Sequence, residues 1–165
     1  MILLQTVNQW IHIVSFSVWI GSILFFLFVF APSAHSLPPK PGIDILNRGR
    51  RSFQTLSWIA INLLLITGIF NFVFQGNSTG FAFGTSYYQI LGIKLLFFLA
   101  MVLHHGFQTF KYAPRIALLS AQTTPDTSTW PEDLLYLWRK WFILQKINAT
   151  LGPIVLLLAL GLAKT

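Results

Sequence analysis

The sequence has no cysteine, two methionines and only four acidic residues, Asp44, Asp126, Glu132 and Asp133, in a chain of 165. The lack of cysteine excludes disulfides, thiolate metal sites and thiol chemistry. None of the four carboxylates lies in an apolar stretch. Acid–base catalysis by carboxylates within those stretches, or a carboxylate proton relay, is therefore disfavoured. There is no glycine-rich phosphate loop and no plausible Ser–His–Asp set. Charged residues make up 9% of the chain, where a soluble domain carries roughly 25%.

Apolar residues make up 55% of the chain and gather in four blocks, at about 11–30, 56–74, 87–107 and 143–162. Each block is close to the ~20 residues that a helix needs to cross the hydrocarbon core. The expected fold is all-α: an integral membrane four-helix bundle forming a single domain over 1–165. Its helices are expected at about 7–31, 52–75, 87–111 and 130–163, with the membrane part of the last at about 143–163. Prolines 32, 38, 39 and 41 suggest an extended connection after the first helix. Thr129-Trp130-Pro131-Glu132 reads as a capping box for the fourth.

The formal charge of +7 is a topology signal rather than a nucleic-acid footprint. Lys40, Arg48, Arg50, Arg51, Lys111, Arg115, Arg139, Lys140 and Lys146 are nine of the eleven basic residues, and all fall at one end of the expected bundle. By the positive-inside rule that end is cytoplasmic and both termini are outside. The expected location is a bacterial-type inner membrane, with the bilayer as partner and anionic lipid as a lesser contact.

The polar residues within the spans carry the functional signal. Lys94 and His105 lie eleven residues apart, which is about three helical turns and so one face. Met101 and Gln108 share it. An ionisable residue inside a span is a functional-site hypothesis by default. On the first helix His12, Ser15, Trp19 and Ser22 form a second stripe. At ~1.5 Å per residue, His12 and Lys94 are both roughly 8–10 Å from the outer edge, and His104 and His105 are about 25 Å down. Two polar layers follow. The outer holds His12, Lys94 and Asn71; the inner holds His35, His104, His105, Gln54 and Asn148. The layers are about 15 Å apart in depth, so His12 and His105 cannot ligate one iron. Imidazole in an apolar bundle suits haem iron, whereas copper handling favours methionine and cysteine ligands.

The stretch from His12 to Gly21, with Trp19 between them, resembles the opening of the HemJ-type protoporphyrinogen oxidases and of the CopD-type copper-resistance membrane proteins. Lys94, followed eleven residues later by His105-Gly106-Phe107, resembles a helix of the HemJ type. Lys146-Ile147-Asn148 is similar to the Arg-x-Asn start of the fourth helix in both families. The resemblance implies b-type haem and oxidation of a porphyrin substrate, protoporphyrinogen IX. It points to His12 and Lys94 as catalytic, and to His105, His12, Trp19 and Asn148 as cofactor-binding; His104, beside His105, is a further cofactor-binding candidate from its position. His105 would ligate the haem iron, with His35 as a further candidate. Two features of the HemJ type are missing: the Pro-Arg pair late in its first helix, and the Glu after its fourth-helix Asn, where Ala149 stands here.

Three readings follow. The chain is a haem-binding membrane redox protein. Alternatively it is a cofactor-free accessory subunit of a larger membrane complex or a homo-oligomer. Copper transport ranks third, because of the two methionines one is Met1.

Overall fold

Every block of apolar sequence becomes part of a helix. The computed structural model describes residues 2–162. Its four helices are α1 (Ile2–His35), α2 (Pro39–Thr79), α3 (Ser86–Ala121) and α4 (Glu132–Leu162), each long and apolar enough to span a membrane. Among the described residues there is no strand. Short connections make α1–α2 and α3–α4 antiparallel pairs packed along their length, and the pairs meet where α1 touches α4 and α2 touches the end of α3.

The bundle is apolar outside, and its largely apolar core also holds buried polar side chains. Trp10, Phe28, Leu96, Phe110 and Leu157 face outward, whereas Asn8, Arg50, His105, Gln108, Gln145 and Asn148 are buried. An apolar surface all round suits a bilayer. In lipid, close packing and interhelical hydrogen bonds hold helices together. An aromatic node does this for three helices. Phe26 of α1 lies 5.4 Å from Phe53 of α2 and 5.1 Å from Trp141 of α4, centroid to centroid.

The first three helices run beyond the sequence expectation at both ends. α1 covers residues 2–35 rather than 7–31, and α3 covers 86–121 rather than 87–111. The fourth begins at Glu132 rather than at 130, and its expected end at residue 163 lies outside the described residues. The largest difference is in α2, which begins at Pro39 rather than near residue 52. Prolines in a first turn cost nothing, because those N–H groups have no helical partner. Lys40 and Asp44, 2.8 Å apart, add an i,i+4 ion pair. So the basic residues Arg48, Arg50 and Arg51, expected in a connection, are helical. The Thr129 capping box does not form either: Leu135 N–H donates to the Pro131 carbonyl at 2.9 Å, which moves the cap to Pro131.

α1 and α3 each contain one five-residue π-helical stretch, Phe26–Phe30 and Gln108–Tyr112. Each is followed by Ala-Pro: Ala31-Pro32 and Ala113-Pro114. Proline has no N–H to offer and its ring presses on the carbonyl four residues back. A wider turn relieves this. Ala31 N–H accordingly donates to Phe26, and Ala113 N–H to Gln108, both five residues earlier.

Candidate functional site

The outer polar layer is a clamp between α1 and α2. His12 Nδ1 lies 2.7 Å from Thr67 Oγ1. The Thr67 hydroxyl donates its single proton to the Leu63 carbonyl at 2.6 Å, so His12 Nδ1–H is the donor to Thr67. Asn8 Nδ2 donates to the Thr67 carbonyl at 3.0 Å and to Asn71 Oδ1 at 2.8 Å. Lys94, half-buried on α3, is close enough to act electrostatically on the His12 ring. Trp19 is fully buried and meets the edge of Phe98 with centroids 6.0 Å apart.

The inner layer differs in kind. His105 is fully buried; neither ring nitrogen makes a hydrogen bond of good geometry, and its polar neighbour is the Gln108 side chain one turn later. Its neighbours are the edges of Trp58 at 5.1 Å and Phe53 at 5.9 Å between centroids. Met101, one turn earlier on the same face, is also fully buried. Gln108, one turn later, donates its amide to the Trp141 carbonyl at 2.9 Å and leaves Oε1 without a partner. Gln145 of α4 has both amide atoms unpartnered, and Ser57 of α2 its hydroxyl. Buried polar groups in native proteins are nearly always satisfied. These open groups on α2, α3 and α4 make the inner layer the candidate site.

The adjoining residues have other tasks. His104 Nδ1–H donates to Asn148 Oδ1 at 3.0 Å, and Asn148 Nδ2 donates to the Met101 carbonyl at 3.1 Å. Asn148 thus ties α4 to α3 directly beside Met101. His35 lies outside the core. Its Nδ1 bonds the Ala31 carbonyl at 2.8 Å, and its ring stacks on Trp130 at 4.6 Å. The structure therefore separates the sequence candidates: His105 and Met101 are fully buried and Trp19 belongs to the same core, His104 and Asn148 brace the Met101 turn, and His12 and Lys94 belong to the outer layer.

Sequence reasoning missed Asn8 and Thr67 of the outer layer and Ser57 of the inner one, and two further groups. One is Gln145, detectable one turn before Asn148. The other is Arg50, only 3% exposed. It donates to Asn47 Oδ1 from Nη2 at 2.7 Å and to Gln54 Oε1 from Nη1 at 2.6 Å. Gln54 in turn lies 3.5 Å from Thr109 of α3. No carboxylate pairs with Arg50; among the described residues the ion pair is Lys40–Asp44.

Residues 48–164 match the family described as Copper resistance protein D. The chain belongs to that family. The matched stretch takes in Arg50, Lys94, Met101, His105 and Asn148 and leaves out His12 and Trp19. No curated protein and no solved structure matches the chain. The HemJ-type resemblance rests on motif spacing.

The donor set bears on which ligand fits. Among the described residues no three His, Cys, Asp or Glu side chains gather, so closed three- and four-ligand sites built from them are absent there. A single soft ion needs fewer ligands. A macrocycle needs a slot, and His105 is enclosed by Trp58 and Phe53. The nearest groove, of about 510 Å³, runs along the outer flank past Trp58, Gly106, Phe107 and Lys111. Trp58 stands between it and His105, so haem does not fit beside His105 as the side chains are packed.

Proposed function

We propose that this member of the copper resistance protein D family binds copper within the bilayer, taking Cu(I) as cargo between His105 and Met101. One observation carries the reading: a fully buried imidazole, with only the Gln108 side chain as polar neighbour and no hydrogen bond of good geometry, stands one turn from a fully buried thioether. Imidazole and thioether are ligands that Cu(I) accepts. The small number of methionines matters less than the position of one of them. Asn148 fixes the Met101 turn through its carbonyl, and the aromatic walls keep water away.

The test is copper content. Protein purified in mild detergent under reducing conditions is expected to retain one Cu(I) per chain against a chromophoric chelator. His105→Ala and Met101→Leu should lose it, and His12→Ala should keep it. Copper retained by His105→Ala, or never retained by the wild type, overturns the reading.

The flank groove favours a second reading, b-type haem. Gly106, Phe107 and Lys111 line that groove, and His105 would hold the haem iron only if Trp58 moved aside. Bound haem would supply one-electron transfer. A Soret band and a sharp reduced α-band in the purified protein would select this reading, and oxidation of protoporphyrinogen IX would then be assayed.

A further inference from the structure

A second groove, of about 440 Å³, lies at the basic end of the bundle between α1 and α4. Two helical stripes build it. Leu27, Pro32 and His35 come from α1, and Arg139, Ile143 and Lys146 from α4. On α4 the cations stand seven residues apart, about two turns and so one face. Neither has an ion-pair partner among the described residues. His35 closes one end, held by its bond to Ala31 and its stack on Trp130. The walls between the cations are apolar, with Phe142 and Ile143 from α4 facing Leu27 and Ala31 from α1.

We infer that this groove is a binding site for an anionic phospholipid, with the headgroup phosphate between Arg139 and Lys146 and an acyl chain along Leu27 and Ile143. The argument is complementarity of two kinds. Free phosphate would use the cations and ignore the walls. A zwitterionic lipid would use the walls and carry its own cation against Arg139. Only a lipid with net negative charge uses both. The positive-inside rule puts this end in the cytoplasmic leaflet, where anionic lipids attract basic residues near the surface. The site lies on the opposite side of α4 from the buried Trp141, Gln145 and Asn148, so it is independent of the copper reading.

The purified protein is titrated in detergent with phosphatidylglycerol, phosphatidylcholine and inorganic phosphate. Binding is followed by native mass spectrometry and thermal melting. Phosphatidylglycerol is expected to bind and raise the melting temperature, and phosphatidylcholine and phosphate are not. The pair R139Q/K146Q should weaken phosphatidylglycerol binding about thirtyfold, from the attraction lost per basic residue. R139K/K146R should retain it, and K111Q, on the other flank, should leave it unchanged. Equal binding of the two lipids by the wild type overturns the proposal without recourse to any variant. Stabilisation by phosphate alone, equal to that by phosphatidylglycerol, overturns the lipid assignment.

Discussion

The outer and inner polar layers contain the same kinds of residue and treat them oppositely. In the outer layer His12, Thr67, Asn8 and Asn71 form a chain of hydrogen bonds at 2.7 to 3.0 Å. In the inner layer His105, Gln108, Gln145 and Ser57 are at least as buried, yet most of their polar atoms are open. A satisfied polar group stabilises a helix pair. An open buried one costs about 1–3 kcal/mol until something binds it. Histidine by itself therefore says little about function in this bundle; what the neighbouring helix offers it decides between clamp and site.

The sharpest way to break the comparison is His105→Ala. Cu(I) affinity should fall by about a hundredfold or more, since even outer-shell partners are worth 10–100-fold. His12→Ala should move it little, and chelator competition reads both. A control outside both layers comes next. A Cβ on Gly42 would lie 2.5 Å from the Ala34 carbonyl oxygen, and backbone on both sides cannot easily yield. Gly42→Ala should destabilise the α1–α2 pair by about 1–3 kcal/mol, measured by unfolding in detergent.

The layers should then respond oppositely to loss of polarity. Thr67→Val removes the hydroxyl that receives His12 and should cost about 0.6–1.7 kcal/mol, the range for hydrogen bonds between membrane helices. His105→Leu removes two open nitrogens and should leave the copper-free protein as stable as the wild type, or more so. A large loss of stability in His105→Leu would show that the inner layer is a clamp as well. The smallest effect is expected from the prolines. Pro114 lies in the turn after the π-helical stretch that begins at Gln108. Pro114→Ala should shift Cu(I) affinity severalfold at most, and Pro32→Ala should leave it unchanged.

Much of the bundle was legible. Four apolar blocks became four helices, because a span's length and hydropathy are local properties. The stripe of Met101, His105 and Gln108 was legible too, since helical periodicity needs no partner. Arg50 was not. Counting charges toward topology treats every basic residue near a span as solvated, and only the extension of α2 back to Pro39 carried it into the protein. Gln145 was missed for a related reason: it stands between Lys140 and Lys146 at the end counted as basic, yet its side chain is fully buried. The role of Trp58 as a wall between groove and histidine had no sequence signal, because it depends on how α2 and α3 are rotated.

By itself the sequence determined four apolar helices of membrane-spanning length, the basic end they share, and the spacing of polar residues along each helix, because that spacing is residue count multiplied by a fixed rise. Only the tertiary structure decided which polar groups found partners. That choice depends on the rotation of each helix about its axis and on the neighbour it meets. Both are set by packing across the bundle, as where Asn148 of α4 reaches the Met101 carbonyl of α3.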